Sequence, residues 1–390
     1  MRAVVVTPFY PLPACPNAPP FVKQMTDELV ALCPTRVVVP LPWPTRAPRR
    51  SQQSTEPSSG AVSVTRYLRV PRLDRHAQGF LCLASLLPAL RRLRQEFAFD
   101  VVLGTWAYPH AFAAALAAKR LGVPIVVRLH GSDVNDFGAD WDILRRAMIR
   151  WALRRAQRVV GVSPALKAQV ERYFGVPPDK VVVVPNGVDG HRFRPEDRAE
   201  ARAWLGLATQ GKVVLFVGNL VSVKDPKCLL DAFAHLGRRS QLRLCLVGSG
   251  PEEAALRRHA ARLGLNGVVH WAGRQPHDVI PRWMNAADVL CLPSRAEGSP
   301  NVIREALACG TPVVASAVGG VPEIITAPEY GLLVPPDRPE ALAVAIKRAL
   351  SSTWDRGRLA AAGAAVSWRA SAALMVDVLD EAVAEWERER

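Results

Sequence analysis

Two carboxylates, Glu297 and Glu305, lie eight positions apart where the sequence predicts a loop that runs into a helix. Three residues that disfavour helix follow the first carboxylate: Gly298, Ser299 and Pro300. Asn301 is a favourable N-cap for a helix over 302–308, and Gly310 is expected to end that helix. Glu297 should therefore lie on the loop and Glu305 about one turn inside the helix.

Such a segment could bind a phosphate and several hydroxyl groups together. The first N–H groups of a helix have no partner within the helix, and the helix dipole favours a negative charge beside them. A carboxylate on either side can accept hydrogen bonds from hydroxyls. A nucleotide-sugar, with a diphosphate between a ribose and a sugar, has the groups that this layout would bind.

Two further turns could bring polar groups to the edge of the same sheet. A predicted strand over 212–217 is followed by Gly218, which permits close backbone approach, and then by Lys224, which can neutralise a diphosphate. A predicted strand over 243–247 is followed by a turn that begins at Gly248. This turn lacks the GxGxxG spacing and the following acid of dinucleotide-binding proteins, which argues against an NAD enzyme.

A histidine lies at a predicted strand end in the first half, in Leu129-His-Gly-Ser-Asp133. His130 could hydrogen-bond a ligand hydroxyl, or it could hold only its own loop. His130 and Asp133 lack a second cluster of ligating residues, so no metal site is predicted. His277 is expected in a surface loop.

Short β-branched segments alternate with helical segments, which predicts parallel, doubly wound sheets. The predicted strands of the first half are 2–6, 37–40, 100–103, 124–129, 158–162 and 180–184. Those of the second half are 212–217, 243–247, 268–271, 289–292 and 312–316. The fold class is therefore α/β, with two Rossmann-like domains that face each other across a cleft.

The predicted domains extend over 1–189 and 190–366. An amphipathic helix is predicted in the remaining segment, 367–390. The polar, proline-rich stretch 42–60 is interpreted as a mobile loop.

The positive charge of the chain is concentrated in its first half. The net charge is +15; residues 1–190 carry 25 Lys and Arg against 13 Asp and Glu, whereas residues 191–390 carry 25 against 22. A basic half suits nucleic acid, an anionic membrane surface or an anionic substrate, and a GC-rich genome that favours arginine would also produce it. No recognition motif supports nucleic acid as the partner.

Composition favours a cytoplasmic protein. The seven cysteines have no CxxC spacing and lie in apolar settings, which predicts reduced core thiols. No apolar run approaches the length of about 18 to 20 residues that a transmembrane helix needs. The N-terminal segment is too short and strand-like for a signal peptide.

Together these motifs resemble those of the family 4 glycosyltransferases of GT-B fold. The matching stretches are Val217-Gly-Asn-Leu with Lys224, Gly248-Ser-Gly-Pro, Glu297 to Glu305 with Ala-Cys-Gly-Thr-Pro-Val-Val, Val318-Gly-Gly-Val-Pro-Glu323, His130-Gly-Ser-Asp and Pro185-Asn-Gly-Val-Asp. The similarity spans nearly the whole chain and is greatest to bacterial polysaccharide enzymes of the teichuronic-acid type. It implies a hexosyltransferase that moves a sugar from a nucleotide-sugar donor to a glycan or lipid-linked acceptor in cell-surface polysaccharide biosynthesis.

The resemblance also implies roles for individual residues, mostly in the second domain. Glu305 would hold the ribose hydroxyls, Glu297 the sugar hydroxyls, and Lys224 the diphosphate. The loop at Arg274 would meet the base, and His130 would reach the sugar from the first domain. The predicted catalytic residues are His130, Lys224 and Glu297. The predicted substrate-binding residues are Gly218, Asn219, Gly248, Arg274, Gly298, Ser299, Pro300, Asn301, Val302 and Glu305.

By the same resemblance the reaction is retaining and uses no metal or other cofactor, and the last helix packs back on the first domain. The leaving phosphate would take the acceptor proton, while Lys224 and a helix N-terminus stabilise the departing diphosphate. Three positions depart from the family pattern. Asn219 replaces a common arginine, and Asp225 replaces a usual glycine. In the first loop, Pro19 or Pro20 occupies the site of another glycine.

Two basic segments suggest a membrane contact on the acceptor side. They are the helix that contains Arg145 to Arg155 and the stretch Arg91-Arg-Leu-Arg94. Both could dock the first domain on the anionic inner face of a membrane, near a lipid-linked acceptor. The alternative is a half-buried helix whose arginines are only solvated.

Two other functions remain open from the sequence. A degenerate, non-catalytic nucleotide-sugar binder would account for Asn219 and the first loop without glycine, whereas Lys224, Glu297 and Glu305 favour an enzyme. A GT-B-fold nucleotide-sugar epimerase would need other acid and base residues, and the Glu-x7-Glu run disfavours it.

Overall fold

The chain forms two compact units, each built on one parallel sheet. A computed structural model describes residues 1–12, 18–43, 62–69, 76–134, 143–237 and 241–390. The first unit contains Met1–Asn186 and Trp368–Arg390, and the second contains Gly187–Ser367.

The first unit has a sheet of seven strands in its described part. They are β1 (Ala3–Val6), β2 (Thr35–Trp43), β3 (Val62–Leu68), β4 (Val101–Thr105), β5 (Ile125–Leu129), β6 (Arg158–Gly161) and β7 (Val181–Val183). Their order is β3-β2-β1-β4-β5-β6-β7, and all neighbours are parallel. The strand order therefore reverses between β1 and β4.

Helices cover both faces of this sheet, because its strands are apolar on both sides. The helices are α1 (Pro20–Leu32), α2 (Gln78–Phe97), α3 (Phe112–Leu121), α4 (Ile143–Arg155) and α5 (Pro164–Phe174), and a kinked turn spans Ala107–Ala111. Successive residues of a strand point to opposite faces. Val4 accordingly packs in the cluster that contains Leu86, whereas Val5 packs in the cluster that contains Leu29.

The second unit repeats the plan with six strands. They are β8 (Lys212–Val217), β9 (Leu242–Val247), β10 (Val269–Gly273), β11 (Val289–Leu292), β12 (Val313–Ser316) and β13 (Gly331–Val334). The helices are α6 (Arg198–Trp204), α7 (Pro226–His235), α8 (Glu253–Arg262), α9 (Ile280–Ala286), α10 (Asn301–Ala308), α11 (Pro339–Ser351) and α12 (Arg356–Gly363). The parallel order β10-β9-β8-β11-β12-β13 is that of a Rossmann fold and reverses between β8 and β11.

The chain ends in a long helix, α13 (Trp368–Arg388), that belongs to the first unit. It packs against α1, and its apolar face joins the same cluster as Val5 through Met375 and Leu379. Ser371 Oγ donates a 2.7 Å hydrogen bond to the carbonyl oxygen of Pro185. The first unit is thus built from two separate parts of the sequence.

The α/β class is confirmed, but two strands were not predicted. β3 lies beside a proline-rich stretch, and β13 is short; β2 extends to Trp43 despite prolines at 40 and 42. β3 is a strand because it pairs with β2, a long-range contact that local propensity does not reveal. Most of the predicted mobile loop at 42–60 lies outside the described residues.

Candidate active site

The second sheet brings Lys224 and Glu297 together at its point of reversal. Ligands of open α/β sheets bind beyond the carboxyl ends of the strands at such a point. Lys224 follows β8 and Glu297 follows β11, the two strands between which the order reverses. Lys224 Nζ donates a 2.6 Å hydrogen bond to Glu297 Oε1. The fold therefore places the Glu297 carboxylate, with its charge balanced by Lys224, where a ligand is expected.

Glu297 is held in one orientation with part of its carboxylate left for a ligand. Its side chain is only 7% exposed, and Ser294 Oγ also donates to Oε1, at 2.6 Å. Oε2 has no hydrogen-bond partner within the part of the chain that the structure describes. A ligand hydroxyl could therefore donate to Oε2 while Oε1 stays fixed. No local signal in the sequence marks Ser294, because its role depends on the fold of this loop.

Two glycines let the surrounding loops approach one another. A Cβ at Gly248 would lie 1.8 Å from the carbonyl oxygen of Gly218, and φ of Gly248 is +145°. A Cβ at Gly319 would likewise lie 1.8 Å from the carbonyl oxygen of Glu297, with φ at +51°. Neither position tolerates a side chain, so the loops that follow four strands pack backbone against backbone. Gly319 thereby supports the Glu297 loop.

The helix that carries Glu305 begins one residue earlier than predicted. Pro300, with φ −74° and ψ 108°, occupies the N-cap position of α10, and no side chain caps the helix. The prediction of Asn301 as N-cap is therefore wrong, because the extended conformation of a cap falls on Pro300 and Asn301 is already helical. The N–H groups of Ser299 and Val302 have no acceptor among the residues described. The expected free donors thus lie between the two carboxylates.

Glu305 is paired with His277, a residue that the sequence analysis assigned to a surface loop. His277 Nε2 lies 3.2 Å from Glu305 Oε1, and Arg192 Nη1 lies 3.2 Å from His277 Nδ1. An ionised carboxylate only accepts and a guanidinium only donates, so His277 carries its proton on Nε2 and donates it to Glu305. His277 does lie in a loop, between β10 and α9, but its ring is half-buried between these partners. No local signal marks this pairing, which joins positions 28 residues apart.

Asp225, which replaces the usual glycine after Lys224, adopts the left-handed conformation that a glycine would favour. Its φ is +46° and its ψ is 51°. Oδ1 accepts a 3.1 Å hydrogen bond from the N–H of Cys228 and so caps α7, and Oδ2 lies 3.0 Å from Arg295 Nε. Burial raises the pKa of Asp225, although the Cys228 N–H and Arg295 oppose that rise. Asp225 is therefore a structural residue of the site.

Of the remaining predicted residues of this unit, some are exposed at its surface and Gly218 interacts through its backbone. Asn219 and Arg274 are exposed, and Arg274 Nε lies 3.4 Å from Ser249 Oγ in the loop after β9. The N–H of Gly218 donates to the carbonyl oxygen of Val247 at 3.0 Å. Asn219 and Arg274 are thus free to contact a ligand, although neither contacts the Lys224–Glu297 pair in any hydrogen bond that the structure describes.

His130 lies in the first unit, directly after β5. Its ring stacks on Trp106, with centroids 4.1 Å apart, and faces Phe21 at 5.2 Å. Both ring nitrogens are buried and have no partner among the residues described. Burial, and then the charge of Arg128, hold the pKa of His130 well below its usual range, so the imidazole is neutral at physiological pH.

The loop after His130 is fixed by Asp133. One oxygen of this buried carboxylate accepts hydrogen bonds from the N–H groups of His130 and Gly131, at 3.1 and 2.9 Å, and the other accepts from Ala107 at 3.2 Å. Burial raises the pKa of Asp133, against the effect of these donors. Asp133 therefore positions the histidine loop.

Neither a clustered metal site nor a membrane span is found within the described residues. No group of three or more His, Cys, Asp or Glu side chains is arranged to hold an ion. No described helix combines the length and apolar character needed to cross a bilayer. The described cysteines are unpaired and buried.

Two Rossmann-like units, with a lysine–carboxylate pair at the reversal point of the second sheet, define a protein of GT-B architecture. The family described as "Glycosyl transferases group 1" matches residues 197–366, and "Glycosyltransferase Family 4" matches residues 20–192. The chain belongs to this family of GT-B glycosyltransferases. The resemblance to family 4 is confirmed, whereas the narrower resemblance to enzymes of the teichuronic-acid type stays a prediction.

Several curated relatives are named D-inositol 3-phosphate glycosyltransferase. The protein from Frankia alni is 40% identical over 70% of this chain and 72% of its own length. The proteins from Acidothermus cellulolyticus and Streptomyces bingchenggensis are 39% and 36% identical. The alignments cover 60% and 70% of this chain, but only 56% and 65% of the lengths of those two relatives.

Solved structures share the fold over nearly the whole chain. Sucrose-phosphate synthase from Thermosynechococcus elongatus has a TM-score of 0.76 at 24% identity and covers 99% of this chain and 100% of its own. HepE from Anabaena, solved with UDP, has a TM-score of 0.75 at 21% identity and covers 98% of this chain and 100% of its own. At these identities the similarity establishes the architecture alone.

Proposed function

We propose that the protein is a retaining glycosyltransferase that moves a sugar from a nucleotide-sugar to an acceptor without a metal or other cofactor. The Lys224–Glu297 pair at the reversal point of the second sheet carries this proposal. Lys224 supplies positive charge for the diphosphate, and Glu297 Oε2 is available to a sugar hydroxyl. Glu305, held by His277, lies one turn into the adjoining helix and would accept the ribose hydroxyls.

In the proposed reaction the bond between the anomeric carbon and the diphosphate oxygen breaks, and negative charge develops on that oxygen. Lys224 and the free N–H groups at the start of α10 stabilise this charge. The leaving oxygen takes the proton of the acceptor hydroxyl, and the acceptor oxygen bonds the anomeric carbon on the same face. No protein base is needed, and the configuration is retained.

His130 is proposed to hydrogen-bond the donor sugar from the first unit. Its depressed pKa keeps the ring neutral, so one ring nitrogen can donate and the other can accept. A neutral ring adds no positive charge beside an anomeric carbon that is becoming electron-poor. His130 would thus position the sugar without opposing bond cleavage.

Two classes of acceptor are considered, and a different observation favours each. The motif resemblance favours a glycan or lipid-linked acceptor of cell-surface polysaccharide synthesis. The names of the curated relatives instead favour a phosphorylated polyol. Transfer of labelled sugar to inositol phosphate, compared with transfer to a membrane lipid extract, separates the two.

The donor is identified by thermal shift with UDP-, GDP- and ADP-sugars, each with and without EDTA. We expect one nucleotide class to raise the melting temperature in both conditions, and Lys224→Ala to abolish the shift. Lys227→Ala is the matched control, because Lys227 lies three residues after Lys224 and forms an exposed ion pair with Asp231, four residues further along the chain. A shift that needs a divalent metal would overturn the metal-independent reaction. Binding without turnover towards any acceptor would favour the degenerate, non-catalytic binder.

The two glutamates should separate binding from turnover. Glu305→Ala removes hydrogen bonds to a charged group, each worth about 1.5–3 kcal/mol, and should weaken nucleotide binding by about 10- to 100-fold. Glu297→Gln keeps the shape but removes the charge paired with Lys224, and should lower kcat by on the order of 100-fold with little change in Kd. Calorimetry with the nucleotide and initial-rate kinetics measure the two effects. Equal effects of both variants on Kd would contradict these roles.

We further propose that the first unit contacts an anionic membrane surface. Arg146, Arg150 and Arg154 recur at helical spacing on α4 and are exposed, while the opposite face of this helix is buried through Met148 and Ala152. Such a stripe attracts anionic lipid by about 1 kcal/mol per arginine near the surface. Sedimentation with vesicles that contain phosphatidylglycerol should retain the protein at low salt and release the triple Arg→Gln variant. Equal retention by neutral vesicles would rule out the electrostatic contact.

A further inference from the structure

Arg128 is a buried cation whose hydrogen bonds are incomplete. It lies on β5, two residues before His130, and is 1% exposed. Nη2 donates a 2.8 Å hydrogen bond to Asn186 Oδ1. Nε and Nη1 are buried without a partner, and no carboxylate lies within ion-pair distance of Arg128 in the described part of the chain. Asn186 is neutral, so the guanidinium charge has no compensating charge there.

A small cavity adjoins this guanidinium under α1. Its volume is about 20 Å³; most of its wall is apolar, with Phe21 and Met25 on the helix side, and Arg128, His130 and Thr105 lie on the sheet side. A cavity of this size holds a ligand of one heavy atom, because about 10–15 Å³ already accommodates a water molecule. Phosphate and other polyatomic anions are too large for it.

The charge of Arg128 determines what the cavity should hold. Burial lowers the pKa of Arg128 to about 10, so the guanidinium remains protonated at physiological pH. An isolated buried charge costs several kcal/mol, and two buried N–H groups without acceptors add to that cost. A water molecule would accept a hydrogen bond from the guanidinium but would leave its charge uncompensated. A monatomic anion would accept the hydrogen bonds and also compensate the charge.

We propose that the cavity beside Arg128 binds a monatomic anion of the size of chloride. The anion accepts hydrogen bonds from Nε and Nη1, while Nη2 remains on Asn186. Asn186 is the last residue of the first unit before the chain enters the second. The bound anion would therefore stabilise the buried arginine that anchors this exit point, and it does not depend on glycosyl transfer.

Chloride is tested against gluconate at constant ionic strength, since gluconate is far too large for the cavity. We expect the melting temperature of the wild type to rise by a few degrees with chloride and to saturate in the millimolar range. Bromide should replace chloride. Chlorine-35 NMR of the wild type gives a second measurement that needs no variant, because bound chloride broadens the signal and bromide restores it.

Two pairs of variants distinguish the cavity from the basic surface. Arg128→Met should remove the saturable chloride effect, whereas Arg91→Met, at an exposed position of α2, should retain it. Val5→Ile adds a methylene group to the cavity wall, so it should remove the chloride effect while Arg128 stays in place. Val4→Ile adds the same group on the opposite face of β1 and should leave the chloride effect unchanged. Equal melting temperatures in chloride and gluconate would overturn the proposal, as would a chloride effect that survives in both Arg128→Met and Val5→Ile.

Discussion

At the scale of single residues, Asp225 shows how this chain replaces a glycine of the family pattern. Asp tolerates the left-handed region better than most residues, and its carboxylate adds two functions that glycine lacks. It caps α7 through Cys228, and it pairs with Arg295, which also contacts Asp337 at 2.8 Å. The departure from the family pattern is thus compensated by local contacts next to Lys224.

Substitutions at Asp225 should separate backbone strain from the loss of the cap. Asp225→Ala puts alanine at positive φ and removes both contacts, which should cost about 2–3 kcal/mol. Asp225→Gly relieves the strain and should cost about 1 kcal/mol, and Asp225→Asn, which keeps the cap, should cost less still. Urea unfolding measures the three losses. Equal losses for the Ala and Gly variants would show that the left-handed conformation is unimportant.

At the scale of elements, the kinked turn Ala107–Ala111 places a second buried histidine in the first unit. His110 Nε2 lies 3.3 Å from Tyr67 Oη, and its Nδ1 is buried without a partner among the residues described. Burial lowers the pKa of His110 to about 3. The native ring therefore stays neutral over a pH range in which the same ring in the unfolded chain becomes protonated.

This difference makes the stability of the first unit depend on pH. Between pH 6.5 and about 3 the unfolded state binds the proton that native His110 does not, so stability falls as pH falls. One such group contributes about 1.4 kcal/mol per pH unit, or roughly 2 kcal/mol between pH 6 and pH 4. His110→Asn should reduce this slope in urea unfolding, while exposed His191→Asn should not. An unchanged slope in His110→Asn would show that His110 titrates normally in the native state.

At the scale of the whole molecule, the first unit is completed by the last segment of the chain. α13 buries Trp368, Met375, Val378 and Leu379 in the cluster on the α1 side of the sheet. Arg158 of β6 pairs with Glu385 of the same helix. Each large apolar side chain contributes about 1.5–3 kcal/mol when fully buried. Together these four approach the entire stability of a typical domain, which is about 5–15 kcal/mol.

A chain that ends at Ser367 should therefore lose the first unit and keep the second. Hydrogen exchange should become fast in β1, β4 and β5, because α13 no longer covers their face, and should stay slow in β8 and β11. A chain that ends at Trp386 is the control, since residues 387–390 are exposed. Slow exchange in β1 of the shorter chain would show that α13 is dispensable.

Much of the fold and part of the site follow from local sequence. The β-branched runs at β1 and β8 predict buried parallel strands because such residues suit a sheet covered on both faces. The Glu297 to Glu305 segment predicts a loop and a helix start because Gly and Pro exclude helix there. β3, in contrast, depends on its pairing with β2. The N-cap of α10 is Pro300 because of its extended backbone conformation, which residue type alone did not specify.

The sequence by itself determined which elements form and which reactive side chains lie at their ends, since both depend on residues close together along the chain. Only the tertiary structure decided which of those side chains meet. Lys224 and Glu297 are 73 positions apart, yet the order of β8 and β11 joins them. The same holds for His277 with Glu305 and for Arg128 with Asn186, which lie 28 and 58 positions apart. The physical reason is that propensity and capping act within a turn or two, whereas strand order and packing bring distant segments into contact.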